Sequence, residues 1–214
     1  MENRNDSISD AVIRRLPRYY RHLGELLSSG ITRVSSGDLS RQMGLTASQV
    51  RQDFNHFGGF GQQGYGYNVE MLYREISHIL GIDQVHHVIV IGAGHIGQAL
   101  INYPNFVKRS FHMTAIFDTD PKVIGTKIHD LTVRPVEEIE GFMRENPVDI
   151  AVLAVPKAAA REMAEKLVSY GIKGIWNFAS TDLTVSDPNV MIENVHLTDS
   201  IMQLSYRLHN CMED

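Results

Sequence analysis

The stretch from His87 to Gly97 constrains this chain more than any other. Val88-Ile-Val-Ile91 is an apolar, β-branched run of the kind that makes a buried parallel strand. It passes without a break into Gly92-Ala-Gly-His-Ile-Gly97 and then into the helix-forming Gln98-Ala-Leu-Ile101. Strand, glycine turn and helix in this order match a dinucleotide fold: Gly92 makes the tight turn, Gly94 lets the backbone approach a pyrophosphate, and Gly97 lets the helix pack closely on the strand. Phosphates would then face the free N–H groups of the helix start, with Ala93, His95 and Ile96 completing the loop. A second run, His112-Met-Thr-Ala-Ile-Phe117, ends in Asp118, about twenty residues beyond Gly97. A carboxylate there accepts hydrogen bonds from ribose hydroxyls and repels a 2′-phosphate, which favours NAD(H) over NADP(H). Asp118 has a plainer reading as well, as a strand-end cap for the turn at Asp120-Pro121.

Further along, Asp149-Ile-Ala-Val-Leu-Ala-Val155 reads as another buried strand, closed by Pro156 and followed by an amphipathic stretch from Ala158 to Tyr170. Gly174-Ile-Trp-Asn-Phe-Ala179 repeats the pattern more briefly. Alternating strands and helices imply a Rossmann-like, doubly wound parallel sheet over residues 82–195. Ligands of such sheets lie at the strand C-termini, so Val155, Pro156, Phe178 and Ala179 are expected beside the glycine loop.

The first 81 residues read differently. Ile8, Val12, Ile13, Leu16, Tyr19, Tyr20, Leu23, Leu26 and Leu27 recur at helical spacing, and Pro17 divides them into a short helix and a longer one that Gly30 stops. The tyrosines are expected in the core. Ser35-Ser-Gly-Asp38 and Thr46-Ala-Ser-Gln49 are capping boxes that open two short helices joined at Gly44. This is a helix-turn-helix. On the second helix Val50, Phe54 and Phe57 share one face, while Ser48, Gln49, Arg51, Gln52, Asn55 and His56 are the candidate DNA contacts; arginine, glutamine and asparagine read guanine and adenine edges. A solvated polar face is the alternative. Gly58-Gly-Phe-Gly-Gln-Gln-Gly-Tyr-Gly-Tyr67 suits a hairpin wing with Gln62 and Gln63 near its tip. Asn68 then caps a helix from Val69 to Leu80, which Gly81 ends.

Charge follows this division. Residues 1–68 hold eight Arg, no Lys and six acidic residues, a balance of +2, whereas the remainder holds twelve basic and nineteen acidic residues, a balance of −7. A polyanionic partner such as double-stranded DNA would meet the head. The single Cys211 excludes an internal disulfide and a cysteine-ligated metal site. The adjacent His86 and His87, placed just before a strand, lack the spacing of a helical metal site, and no metal is expected. No apolar run has the length of a membrane span, and Met1-Glu-Asn-Arg-Asn-Asp6 lacks the layout of a signal peptide, so the expected location is the cytoplasm.

Residues 196–214 form a tail. From Thr198 to His209 helical spacing returns through Ile201, Leu204, Ser205 and Leu208, with Thr198 or Asp199 as cap. Its apolar side needs a surface to cover, and a second subunit reached by helix swapping would supply one.

Taken together, the sequence resembles the Rex family of bacterial redox-sensing transcriptional repressors nearly end to end. The resemblance is carried by Ile13-Arg-Arg-Leu-Pro-Arg-Tyr19, Thr46-Ala-Ser-Gln-Val-Arg-Gln-Asp53, Phe57-Gly-Gly-Phe-Gly-Gln-Gln-Gly-Tyr-Gly-Tyr67, Gly92-Ala-Gly-His-Ile-Gly97, Tyr103-Pro104, Phe117-Asp-Thr-Asp-Pro121, Gly171-Ile-Lys-Gly174, Asn177-Phe-Ala179 and Glu193-Asn-Val195. It implies a homodimer that binds palindromic operators when NAD⁺ dominates and leaves them when NADH binds, with C-terminal helices exchanged between subunits. By position it implies that Arg51, Gln52 and Asn55 lie on the recognition helix, Gln62 and Gln63 in the wing, and Tyr103 near the nicotinamide, with Leu197 of the other subunit a further candidate. The chain departs from many members in having Gln52, Gln62 and Gln63 where basic residues occur, and His196-Leu197 where some have an aspartate and an aromatic.

A small NAD-dependent dehydrogenase is the alternative from a different class. It would need a substrate domain and a general acid or base near the nicotinamide, and no such catalytic set is present in the sequence.

Overall fold

The computed structural model describes residues 9–56, 61, 62 and 65–211. The chain divides into two units, Met1–Gln84 and Val85–Asp214.

In the first unit, α1 (Asp10–Ile13) and α2 (Leu16–Ser28) are separate helices, with Pro17 in the first turn of α2, where a missing N–H leaves no helical bond unmade. Gly30 follows with φ 74°, the left-handed conformation glycine adopts freely. After β1 (Arg33–Val34), the helix-turn-helix consists of α3 (Ser36–Met43) and α4 (Ala47–Asn55). Both expected capping boxes form: Ser35 with Asp38, and Thr46 with Gln49. Gly44 makes the left-handed turn between them. The wing is the antiparallel pair β2 (Gly61–Gln62) and β3 (Gly66–Asn68), and β3 also pairs with β1 to complete a three-stranded sheet. β1 has only two residues, too few to carry a period. Asn68 caps α5 (Val69–Ile79) by accepting from the Met71 N–H. The core packs Leu16, Tyr19 and Leu23 of α2 with Leu39, Val50, Phe54, Leu72 and Ile76. The Phe54 ring meets Tyr19 at 4.8 Å and Tyr67 at 5.0 Å. Tyr19 is thus a core residue, as expected.

The second unit runs β4 (His86–Ile91), α6 (His95–Ile101), β5 (Phe111–Asp118), β6 (Lys127–Ile128), β7 (Leu131–Pro135), α7 (Ile139–Glu145), β8 (Ile150–Leu153), α8 (Lys157–Ser169), β9 (Gly174–Asn177), β10 (Met191–Asn194) and α9 (Leu197–Cys211). Its strands make one sheet in the order β10-β9-β8-β4-β5-β7-β6, parallel except for β6 against β7. Successive side chains of β4 alternate between faces. Ile89 and Ile91 pack with α7 and α8, while Val88 and Val90 pack with Leu100 and Ile101 of α6. The sheet is therefore doubly wound.

Two local expectations need correcting. His86 and His87 lie inside β4, not before it, because they pair with Phe111 and His112 of β5. Helix α9 begins at Leu197, which puts Thr198 and Asp199 inside its first turn; the Asp199 N–H bonds to the His196 carbonyl, so neither residue is the cap. β6, β7, α7 and β10 show no clear period in the sequence, because their short spans are half-buried and held by neighbouring strands. No helix among the described residues is long and apolar enough to cross a membrane.

Candidate dinucleotide cleft and nucleic-acid interface

At the C-terminal ends of β4, β5, β8 and β9 lies a cleft of about 630 Å³. Gly92, Gly94, His95, Ile96, Asp118, Val155, Pro156, Phe178 and Ala179 line it. The glycines have different physical roles. At Gly92, φ is 104° and a Cβ would overlap the Ala154 carbonyl; at Gly97 a Cβ would overlap the Gly92 carbonyl. Those two are required by the fold's own packing. Around Gly94 a Cβ would meet nothing within 4 Å, so the open backbone there faces space a ligand can use. Ala93 and Gly97 are buried behind the loop and do not line the cleft.

Asp118 ties the loop to the next strand. Its Oδ2 accepts from the Ala93 N–H at 2.6 Å and its Oδ1 from the Asp120 N–H at 2.8 Å. The turn-capping role is thus real, yet a carboxylate has about four acceptor sites, and two backbone bonds leave room for ribose hydroxyls. Gln98 secures the loop from the other side, donating from Nε2 to the Ala93 carbonyl at 2.7 Å. An open glycine backbone, a helix start without a side-chain cap and a carboxylate beside them fit the diphosphate and ribose of a dinucleotide.

Two sequence candidates stand apart from the cleft. Tyr103 is about half exposed on the segment after α6. Its ring meets Phe106 at 5.1 Å, Phe106 meets Trp176 at 5.7 Å, and Trp176 meets Phe178 of the cleft wall at 4.7 Å. Leu197 is 63% exposed at the start of α9. Conversely, Thr119, Val136, Ala154, Lys157, Ala159, Met163 and Ser180 line the cleft without having been singled out. Thr119 and Lys157 adjoin the expected Asp118 and Pro156, a signal that was available. Val136 and Met163 arrive through tertiary packing alone.

In the first unit, α4 buries Val50, Asp53 and Phe54 and exposes Ser48, Gln49, Arg51, Gln52, Asn55 and His56. Gln49 spends its side-chain oxygen on the Thr46 N–H, leaving its NH₂ group as the available donor. Arg51 Nη1 donates to Ser36 Oγ at 3.3 Å. Gln62 lies on β2 opposite Gly66. Phe57 and Gln63 lie outside the described residues.

Sequence reasoning missed what holds α4 in place. Arg15 donates to both oxygens of buried Asp53, each at 2.7 Å, and the Tyr19 hydroxyl adds a bond of 2.9 Å. The bond to Asp53 keeps the Arg15 guanidinium above its ordinary range, and burial together with Asp53 pushes the Tyr19 phenol upward. The signal was present in the spacing, since Asp53 stands three residues after Val50 on the buried face.

Two family models match. Residues 83–181 match the CoA binding domain and residues 7–55 the putative DNA-binding protein N-terminus. The redox-sensing transcriptional repressor Rex of Caldanaerobacter subterraneus subsp. tengcongensis is 55% identical over 202 residues, 94% of this chain and 90% of that protein. Among solved structures, RSP in complex with β-NADH superposes with a TM-score of 0.89 at 50% identity over 96% of both chains. RSP in complex with β-NAD⁺ and operator DNA gives 0.90 at 53% identity over 95% of this chain and 93% of that one. With identity at this level along nearly its whole length, the chain belongs to the Rex family of redox-sensing transcriptional repressors.

Proposed function

We propose that this chain represses transcription by binding palindromic operator DNA through α4 and the wing, and that NADH in the cleft of the second unit releases it. One observation carries the reading: a single chain holds both a helix-turn-helix with an unburied polar face and a cleft where Gly94 lies open beside Asp118. Related RSP is known both with NADH and with NAD⁺ plus operator DNA. The dehydrogenase alternative is set aside, since the relatives are repressors. Operator binding would take place in the cytoplasm.

In this reading Asp118 holds the adenosine ribose, the Gly92–Gly97 loop the pyrophosphate, and Val155, Pro156, Phe178 and Ala179 wall the remaining half of the cleft. The bound cofactor supplies a nicotinamide ring whose charge and planarity change on reduction. Ser48, Gln49, Arg51, Gln52, Asn55 and His56 meet DNA from α4, with Gln62 and Gln63 on the wing.

Residues 196–214 join two subunits into a homodimer. Leu197, Ile201, Met202, Leu204 and Leu208 of α9 are each more than half exposed, an apolar surface unsuited to water. An apolar recess of about 590 Å³ on the sheet, lined by Phe106, Phe111, Met113, Trp176 and Ile192 among others, needs covering too. A second copy supplies complementary surface for both. Tyr103 and the partner copy's equivalent of Leu197 then come together near the nicotinamide. NADH shifts the dimer away from its DNA-binding arrangement by its differential affinity for the two states, and operator DNA must weaken NADH binding by the same factor.

Anisotropy titrations of selected operator DNA, with NAD⁺ and NADH in parallel, test this. Coupling of about 1–3 kcal/mol, roughly five- to 150-fold in operator affinity, is expected. Equal operator affinity with and without NADH would rule out the switch.

A further inference from the structure

The cleft has an acid on one side and mostly apolar or backbone groups elsewhere. Lys157 is the one Lys or Arg side chain among its described lining residues. It is the first residue of α8, directly after Pro156, and it is exposed. Among the described residues it makes no ion pair, whereas Lys166 of the same helix is held by Glu162 at 2.8 Å. An ammonium thus stands at the cleft with no described residue forming an ion pair with it. The start of α8, thirteen residues long and without a side-chain cap, adds a partial positive charge at the same place.

Topology says which half of the cleft this is. The sheet order puts β5, with Asp118 at its end, on one side of β4, and β8 and β9 on the other. A dinucleotide lies across the point where strand order reverses, with its adenosine ribose at the acid and its pyrophosphate at the glycine turn. That leaves the nicotinamide half to the loops after β8 and β9, where Lys157 and Phe178 are found.

We propose that Lys157 is a specificity-determining residue that biases this cleft toward NADH over NAD⁺. The inference rests on the dinucleotide reading given above. Both redox forms carry the same two phosphate charges, which the ammonium attracts alike. Only the oxidised ring is a cation, and a fixed positive charge on its side of the cleft opposes it while leaving the neutral reduced ring unaffected. The interaction of an exposed lysine is screened, so its size falls as salt rises.

Calorimetric titration of the full chain, without DNA, tests the proposal with NADH and NAD⁺ separately, at low and at high salt. Lys157→Gln should weaken NADH and change NAD⁺ less, so that the preference for NADH drops by roughly two- to fivefold at low salt. The difference between the wild type and Lys157→Gln should shrink at high salt, and Lys157→Arg should keep most of the wild-type preference. If Lys157→Gln weakens both forms by one common factor, or changes neither, Lys157 does not discriminate and the proposal is overturned. A wild type that binds neither dinucleotide would instead overturn the cleft reading itself, and this inference with it.

Discussion

Arg15 grips Asp53 through two parallel hydrogen bonds of 2.7 Å, from Nε and Nη2 to the two carboxylate oxygens, across 38 positions of sequence. The pair clamps α4 to the segment between α1 and α2, and Tyr19 completes the satisfaction of the buried carboxylate. Removing the acid leaves a guanidinium and a phenol facing an empty site. Asp53→Ala should therefore destabilise the first unit by about 3–5 kcal/mol. Arg15→Ala leaves the buried carboxylate with Tyr19 as its remaining side-chain donor, so it should cost a similar amount, and it should weaken operator binding because α4 loses its brace. Denaturant unfolding measures both, and an Asp53→Ala protein as stable as the wild type would show that the clamp carries no energy.

Asp118 holds the Ala93 N–H as well as standing at the ribose position. Asp118→Ala should weaken NADH by about 1.5–3 kcal/mol, the usual worth of bonds to a charged acceptor, and narrow the gap to NADPH. Asp118→Asn keeps an acceptor for Ala93 while removing the charge that repels a 2′-phosphate. It should narrow the gap with a smaller loss of NADH affinity. Calorimetry with the two cofactors separates the cases, and equal wild-type affinity for NADH and NADPH would refute the role.

On α4, Arg51 is exposed and its side-chain bond to Ser36 is 3.3 Å long, so it can turn to DNA at little cost. Arg51→Ala should weaken operator binding by about 1–3 kcal/mol if it reads a base, or lower the salt slope by about one if it meets a phosphate. A salt series distinguishes the two. Unchanged affinity throughout would remove Arg51 from the interface.

His196 precedes α9 and bonds through Nε2 to Asp182 at 2.8 Å. That bond, opposed by burial and helped by the charges of Asp182 and Asp199, raises its pKa above the ordinary histidine value. A raised folded pKa means a contribution fully present below about pH 6.5, the unfolded value, and lost as pH rises through the folded one. Hydrogen exchange at the first turn of α9 should therefore show, after correction for intrinsic rates, less protection at pH 8 than at pH 6. In His196→Gln the corrected protection should be flat across that range; a variant with the wild-type profile would assign the effect to another group.

Truncation before Thr198 removes the exposed apolar face of α9. Dimerisation and the NADH response should be damaged together. A shortened protein that stays dimeric by sedimentation, and still leaves operator at the same NADH concentration, would show that the tail is not the coupling element.

Much of this molecule could be read from local spacing. The glycine loop, the acid after the second long strand, both capping boxes and the glycine-stopped helices depend on neighbours within a few residues, and each forms as expected. The outer strands β6, β7 and β10 were not legible, because short half-buried segments carry no period and are held by ladders to distant partners.

What the sequence determined by itself was the set of parts: a helix-turn-helix with its caps, a strand–glycine–helix unit with its acid, and an amphipathic tail. Tertiary structure alone decided what those parts touch. It turned Asp53 inward onto Arg15, joined Asp118 to the Ala93 N–H, and put Lys157 at the cleft. The physical reason is range. Caps and turns are satisfied by atoms a few bonds away along the chain, whereas a buried carboxylate or a cleft wall is completed by groups that meet only after the sheet and helices have packed.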